Sequence, residues 1–252
     1  MTESIDAPTR PLTVAIVGNP NTGKSTLFNL LTGLRARVGN FPGVTVEKKI
    51  GEARWKGRRF RMIDLPGTYS LSPRSPDEMV SVNVLLGLQP DIGSIDAVVC
   101  ILDASNLERN LYLASQVLDL GLPTVLVLNM WDVAQARGIQ IDCQALAERL
   151  GVPVVPTIAH RKWGLDRTMA AIAEAAASGC GRRPARPFPE SFYRACEELA
   201  TGLASEGNGH VPPFLIERLI LDVGGEIETR LVRRHGATLP ETLRALRQRL
   251  AE

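Results

Sequence analysis

The segment Gly18–Ser25, which reads GNPNTGKS, restricts the fold of this chain more than any other feature. It matches the pattern G-x-x-x-x-G-K-[ST], and it lies between an apolar strand pattern at 12–17 and a helical pattern at 24–31. In this arrangement backbone N–H groups face phosphate oxygens, the lysine reaches the β- and γ-phosphates, and the serine hydroxyl ligates Mg²⁺. An ordinary glycine-rich turn is the alternative. We predict a phosphate-binding loop whose contact residues are Gly18, Asn19, Pro20, Asn21, Thr22, Gly23, Lys24, Ser25 and Thr26.

Short apolar segments alternate with helical patterns up to residue 177. The strand patterns lie at 12–17, 44–55, 58–64, 95–104, 123–130 and 153–158, and further helical patterns lie at 106–119, 142–150 and 164–177. Continuous apolar strands that alternate with helices are typical of a parallel sheet covered on both faces. We therefore predict an α/β fold with a mostly parallel six-stranded sheet, in which the second and third strands form an antiparallel edge.

The composition changes after this region and predicts the domain organisation. Residues 178–188 are rich in Gly, Pro and Arg, and the helical patterns at 190–205, 212–223 and 239–251 follow them without further strands. We predict a polar tail at 1–10, an α/β domain at 11–177, a linker at 178–188 and a small all-α domain at 189–252.

Two further motifs follow strand patterns. In DLPG, residues 64–67, Asp64 is expected to hold Mg²⁺ through water and the Gly67 N–H to sense a γ-phosphate, with Leu65 and Pro66 between them. In NMWD, residues 129–132, the Asn129 amide suits guanine N7, and the Asp132 carboxylate suits the N1–H and 2-amino donors of guanine, which adenine lacks. A turn and a helix N-cap are the alternatives for each motif alone. In this order the motifs predict a Ras-like P-loop NTPase that binds GTP and GDP, with Met130 also in contact with the nucleotide.

Two loops complete the predicted site. Thr45, in VGNFPGVTVEKK, is the candidate switch threonine whose hydroxyl meets Mg²⁺ when a γ-phosphate is present, and Gly43 and Val44 precede it. A β-branched residue at the start of a strand is the alternative. The base-closing loop is expected at Ile158 and Ala159, where the Ala159 N–H would bond guanine O6.

The overall composition limits the partners. The net charge is only +2, which argues against a nucleic-acid partner. The four cysteines lack a metal-ligand spacing and fit a reducing compartment, and Cys100 lies in an apolar run that predicts burial. The N-terminus has no apolar signal segment, and no stretch reaches the roughly 18–20 apolar residues of a membrane span. A soluble, cytoplasmic chain that binds no iron itself is expected.

The motifs GNPNTGKSTLFN, VGNFPGVTVEKK, DLPGTYSLS and NMWD resemble the cytosolic N-terminal G domain of the bacterial ferrous iron transport protein B family. The resemblance covers roughly residues 11–177. It implies a GTPase domain that is tethered to the bacterial inner membrane through a transmembrane iron-permease region of the same polypeptide, which the present 252 residues do not include. It also implies that the helical domain helps to retain GDP, that small cytosolic regulatory proteins are possible partners, and that an oligomer is possible.

The residue after DLPG predicts the rate of hydrolysis. Ras-type GTPases orient the attacking water with a glutamine at this place, whereas Thr68 stands here. We therefore expect slow hydrolysis in which Lys24, Thr45, Gly67 and Asn21 carry the catalytic contacts. In relatives with this loop sequence the asparagine at position 21 ligates K⁺. Stabilisation of the loop through backbone hydrogen bonds is the alternative role of Asn21.

Three other functions compete with this interpretation. An RNA-associated GTPase of ribosome assembly or tRNA modification would share the motifs but normally carries a basic RNA-binding module. A stand-alone switch that acts through a partner contact needs no membrane region. An ATPase is opposed by Asp132, although Ile158 replaces the serine common in base-closing loops.

Overall fold

The computed structural model describes residues 10–42, 44–73, 75–179, 181, 186–205, 211–235 and 238–251. Seven strands form one sheet: β1 (Leu12–Gly18), β2 (Ala36–Asn40), β3 (Glu47–Trp55), β4 (Arg58–Asp64), β5 (Ala97–Asp103), β6 (Thr124–Asn129) and β7 (Val154–Pro156). Their order across the sheet is β2-β3-β4-β1-β5-β6-β7. The predicted α/β class and mostly parallel sheet are confirmed, since β4, β1, β5, β6 and β7 pair in parallel.

The predicted count of six strands is wrong. The additional strand, β2, pairs antiparallel with β3, which in turn pairs antiparallel with β4. Its sequence, ARVGN, is short and largely exposed, so it lacks the apolar alternation that identifies a strand. The antiparallel edge therefore has three strands, and Gly39 lies inside one of them.

Helices cover both faces of the sheet. On one face α1 (Lys24–Thr32) and α6 (Leu165–Ser178) pack on alternate strand residues such as Ile16 and Met62. On the other face α2 (Pro76–Leu85) and α3 (Leu107–Asp119) pack on the intervening residues. Two short helices, α4 (Trp131–Ala136) and α5 (Cys143–Leu150), flank β7 and β6. Cys100 lies in the core as predicted, and burial raises the pKa of its thiol to about 12.

Four helices follow the sheet: α7 (Glu190–Ser205), α8 (Pro213–Leu221), α9 (Glu226–His235) and α10 (Thr238–Ala251). They pack on one another, and their buried residues continue the core beneath the face that carries α2 and α3. The Glu226 N–H donates to Pro73 O at 3.2 Å, and Arg230 Nη1 donates to Asn83 Oδ1 at 3.1 Å. The sequence prediction missed α9, α2 and α4. Five of the eleven residues of the predicted linker lie outside the described residues, so the boundary at 178–188 stays a prediction.

No helix in the described part of the chain is both long enough and apolar enough to cross a lipid bilayer.

Candidate functional site

The glycine-rich loop lies between β1 and α1, as the motif predicts. Gly18 ends β1, and Gly23 precedes α1 with φ +86°, a left-handed value that favours glycine. A Cβ at position 23 would lie 2.3 Å from Asn129 Nδ2. The Thr22 hydroxyl closes the loop by donating to Asn19 O at 2.9 Å. Glycine at position 23 is therefore required both by the backbone and by the side chain that approaches it.

Asp64 joins this loop because β4 lies beside β1, with Asp64 opposite Ile16. Lys24 Nζ donates to Asp64 Oδ1 at 2.5 Å, and the Ser25 hydroxyl donates to Asp64 Oδ2 at 3.4 Å. The Lys24 and Asp64 side chains are 12% and 6% exposed. Oxygen donors are the ligands that Mg²⁺ prefers, and in phosphate sites it takes one or two from the protein. The hydroxyl and carboxylate at this point fit that requirement.

The chain after Asp64 passes close to the glycine-rich loop. Leu65 is in the core, so only its backbone can face a phosphate. A Cβ at Gly67 would lie 3.3 Å from the backbone of Pro20. The Thr68 N–H donates to Gly18 O at 3.2 Å, and its buried hydroxyl donates to Ser70 O at 2.7 Å. Thr68 is therefore turned away from solvent.

Asn129, at the end of β6, connects the glycine-rich loop to the base-closing loop. Its Nδ2 donates to Thr22 O at 2.9 Å, and its Oδ1 accepts from the Ala159 N–H at 3.0 Å and the Thr157 hydroxyl at 3.4 Å. One Nδ2 hydrogen remains for another acceptor, because an amide nitrogen carries two. Sequence reasoning missed this bridging role, since the partners lie up to 107 residues away.

Asp132 lies in the first turn of α4, after Met130 with φ +59°. Its Oδ2 lies 3.5 Å from His160 Nε2. Its Oδ1 is buried and has no hydrogen-bond partner among the described residues. A buried carboxylate oxygen without a donor is costly. This oxygen therefore requires a donor from a ligand or solvent.

The base-closing loop is a short turn of 3₁₀ helix at Ala159–Arg161. The Ile158 N–H donates to Trp163 O at 3.1 Å, and the buried Ala159 N–H already donates to Asn129 Oδ1. A contact of Ala159 with guanine O6 would require the Asn129 bond to be shared or released. That contact stays a prediction.

The switch segment forms the connection between β2 and β3. The Phe41 N–H donates to Val46 O at 3.0 Å, and the Val44 N–H donates to Phe41 O at 3.3 Å. Thr45 is exposed, and its hydroxyl has no hydrogen bond to Ser25 or Asp64 within the described chain. Gly43 lies outside the described residues. The structure therefore does not bring Thr45 to Lys24, Ser25 and Asp64, hereafter the Asp64 cluster. A switch contact would need this connection to move.

Asn21 lies at the tip of the glycine-rich loop. It has φ +66°, a left-handed conformation that asparagine tolerates better than most residues, and it is exposed. Its side-chain amide makes no hydrogen bond with the loop in the part of the chain that the structure describes. Both proposed roles of Asn21 stay predictions.

The glycine-rich loop, the Asp64 cluster and the Asn129 bridge converge at the carboxyl edge of the parallel strands. This fold and this site define a G domain of the P-loop GTPase class. The family of ferrous iron transport protein B matches residues 12–172, and the chain belongs to it.

The comparisons with known proteins cover different shares of each chain. The Fe(2+) transporter FeoB of Salmonella typhimurium (strain LT2) is 47% identical over 167 residues, which are 65% of this chain and 21% of that protein. FeoB of Escherichia coli (strain K12) is 46% identical over 167 residues, which are again 65% of this chain and 21% of that protein. The chain thus spans about a fifth of the length of these curated relatives.

Solved structures are similar over more of the chain. A GDP-bound mutant of S. thermophilus NFeoB is 34% identical, covers 96% of this chain and 91% of that one, and has a TM-score of 0.75. The cytosolic domain of L. pneumophila FeoB is 33% identical, covers 92% and 98%, and has a TM-score of 0.73. The similarity therefore extends over the helices that follow the sheet.

Proposed function

We propose that this chain binds GTP and GDP and slowly hydrolyses GTP, as the cytosolic regulatory part of a bacterial ferrous iron transporter. The nucleotide phosphates would lie against Gly18–Thr26, and the base between Asn129, Asp132 and the base-closing loop. The GDP-bound S. thermophilus relative supports the binding of a guanine nucleotide.

The buried Asp132 Oδ1, which has no hydrogen-bond partner among the described residues, carries the choice of guanine. Guanine presents two adjacent donors, N1–H and the 2-amino group, to a carboxylate, whereas adenine has an acceptor at N1. Each hydrogen bond to a charged group is worth about 1.5–3 kcal/mol, and an unmatched buried carboxylate adds a desolvation cost. A preference for guanine over adenine follows.

Hydrolysis would proceed by in-line attack of water on the γ-phosphorus. The bond from the γ-phosphorus to the bridging oxygen breaks, GDP leaves with that electron pair, and the displaced proton ends on the phosphate product. Lys24 would leave Asp64 for the phosphate oxygens, where its charge stabilises the leaving group. The Gly67 N–H and the Thr45 hydroxyl would hold the γ-phosphate and the water. Thr68 cannot orient the water while its hydroxyl is bonded to Ser70 O, which supports a slow reaction.

Two cations fit the residues of the site. Ser25 and Asp64 offer oxygen ligands for Mg²⁺, Thr45 would add a third once the connection between β2 and β3 moves toward them, and the exposed Asn21 amide oxygen offers one for K⁺. When bound, the two ions supply positive charge beside the phosphates. Hydrolysis that is faster in K⁺ than in Na⁺, with the difference lost in Asn21→Ala, is the expected result. Equal rates in both salts would contradict the role of Asn21.

Fluorescent GDP and ADP analogues test the nucleotide proposal in titrations with and without Mg²⁺. We expect GDP to bind at least about a hundredfold more tightly than ADP, since two charge-assisted hydrogen bonds distinguish them. Asp132→Asn should weaken GDP binding and strengthen the binding of xanthosine diphosphate. The N1–H donor and the O2 acceptor of xanthine match the oxygen and the nitrogen of an amide. Asp166→Asn removes an exposed carboxylate in the first turn of α6 and serves as the control. Equal affinity for GDP and ADP would overturn the assignment.

The transporter context rests on the curated relatives, which are named Fe(2+) transporters and are about three times as long as this chain. In that context a transmembrane permease region of the same polypeptide is the principal partner, with small cytosolic regulators and an oligomer as further possibilities. An antibody against this domain, applied to fractionated source cells, tests the proposal. A band far above 27.4 kDa in the membrane fraction is expected. A soluble band near that mass would favour a free-standing GTPase instead.

A further inference from the structure

The turn between β3 and β4 carries a concentrated positive charge. Residues 54–61, RWKGRRFR, contain five basic residues and no acidic one. The whole chain has a net charge of only +2, so the rest of the chain is net negative. The segment is hereafter called the basic hairpin tip.

The basic hairpin tip is a tight two-residue turn. Trp55 pairs with Arg58, and the residues between them, Lys56 and Gly57, have φ +45° and +78°, as the favoured hairpin turns require. Arg54, Lys56 and Arg58 are exposed. Lys56 Nζ lies 4.6 Å from the centre of the half-buried Trp55 ring. The tip therefore combines an aromatic ring that packs partly against the core beneath α6 with exposed cationic groups around it.

The tip lies at the opposite end of the strands from the nucleotide site. β4 runs parallel to β1, begins at Arg58 in the tip and ends at Asp64 in the site. Six steps of a strand at about 3.3 Å place the two ends roughly 20 Å apart. A partner on the tip would leave the glycine-rich loop accessible.

Three acidic residues, Glu52, Asp91 and Glu174, adjoin the basic side chains. Glu52 is paired across the strands with Arg61, whose guanidinium also donates to the backbone oxygens of Asp91 and Ile92 at 3.0 and 3.1 Å. Glu174 follows the α6 residue whose carbonyl accepts from Arg58 at 3.4 Å. The Asp91 carboxylate is itself paired with Lys48. Three carboxylates beside the five basic groups therefore leave the tip positive.

We propose that the basic hairpin tip binds the anionic headgroup surface of a lipid bilayer, with Trp55 at the interface. Tryptophan is enriched at membrane interfaces, and clustered Lys and Arg near a surface are attracted by anionic lipids. The choice of a lipid over a nucleic acid rests on the proposed membrane tether, which would hold the tip near the bilayer at high effective concentration. A single tryptophan beside five cations also offers no series of stacking platforms for bases.

Sedimentation with vesicles tests this proposal on the full chain. Binding is expected to vesicles of phosphatidylcholine with phosphatidylglycerol, not to phosphatidylcholine alone, and it should fall as salt is raised. Each basic residue near such a surface strengthens partitioning about fivefold, so Arg54→Glu with Lys56→Glu should weaken it by at least about 25-fold. The tryptophan emission should shift to the blue with the anionic vesicles, and Trp55→Phe should remove that shift.

The matched control reverses the same charge elsewhere. Arg233→Glu with Arg244→Glu changes two exposed residues of α9 and α10 and should leave vesicle binding within about twofold. Equal loss in both double variants, no binding to anionic vesicles, or tighter binding to a single-stranded RNA oligonucleotide would overturn the proposal. GDP affinity measured on the same samples separates these outcomes from a failure of the nucleotide site.

Discussion

The amide of Asn129 offers a direct test of how the site is built. Asn129→Ala removes the donor to Thr22 O and the acceptor for the Ala159 N–H. Asn110→Ala is a matched control, because that amide is equally buried, accepts from the Asp103 N–H at 3.2 Å and donates to Asn106 O at 2.8 Å. Asn129→Ala therefore removes the partners of one backbone donor and one backbone acceptor. Asn110→Ala removes the partner of the Asp103 N–H only, because Asn106 is the N-cap of α3 and its carbonyl still accepts the first helical hydrogen bond.

The expected losses follow from these backbone groups. A buried polar group left unsatisfied costs about 1–3 kcal/mol, so Asn129→Ala, with two such groups, should lose about 2–6 kcal/mol of unfolding free energy and Asn110→Ala, with one, about 1–3 kcal/mol. At about 2–4 °C per kcal/mol for a chain of this size, Tm should fall by roughly 4–24 °C in Asn129→Ala and by roughly 2–12 °C in Asn110→Ala. Only Asn129→Ala should also weaken GDP binding, by at least about tenfold, through loss of the N7 contact and of the bridge between the loops.

Urea denaturation without nucleotide gives the first quantity, and titration with a fluorescent GDP analogue gives the second. If Asn129→Ala is destabilised yet binds GDP as tightly as the unchanged chain, the base site is wrongly placed. If Asn110→Ala loses far more stability than Asn129→Ala, the bridge contributes less than its hydrogen bonds imply.

Three further substitutions probe other parts of the molecule. Gly23→Ala should abolish GDP binding in titrations, because the φ of residue 23 is left-handed and the added Cβ would meet Asn129 Nδ2 at 2.3 Å. The control is Gly57→Ala, where φ is +78° and the added Cβ would lie in open space. It should cost about 1 kcal/mol of stability and leave GDP binding unchanged. Burial raises the pKa of Glu217 above its ordinary 4.5, so this carboxyl lowers stability as pH rises through its folded pKa. Glu217→Gln should therefore raise Tm near neutral pH and have no effect below pH 4.5. Arg218→Ala should speed GDP release in stopped-flow measurements, because Arg218 donates to the Ser72 hydroxyl and ties the segment after DLPG to α8; an unchanged rate would exclude this coupling.

The core strands and the motif positions were predictable because the pattern of neighbouring residues in the sequence matches the place that each segment takes in the folded sheet. β1, β5 and β6 are buried on both faces, which makes them continuous apolar runs in the sequence. The glycine-rich loop was predictable because its phosphate contacts are made by consecutive residues. The convergence of Asp64 with that loop follows from parallel strands whose ends share an edge.

The remaining features depend on contacts that no local pattern encodes. β2 is a strand because β3 offers it hydrogen bonds, not because its sequence is apolar. α2 shows almost no helical periodicity, although Ser75 at its N-cap and Pro76 after it are a readable start signal. The amide bridge of Asn129 joins loops far apart in sequence, and the inward hydroxyl of Thr68 depends on Gly18 and Ser70.

β2 forms the outer edge of the sheet, so one row of its N–H and C=O groups faces away from β3. Such an edge is a template for strand addition and hence for aggregation between copies. Its five residues, the exposed Arg37 and the flanking Arg35 act against that pairing through short length and like charge. Substitutions that make this segment more apolar, such as Arg37→Val beside the exposed Val38, would therefore reduce solubility while leaving the buried core unchanged.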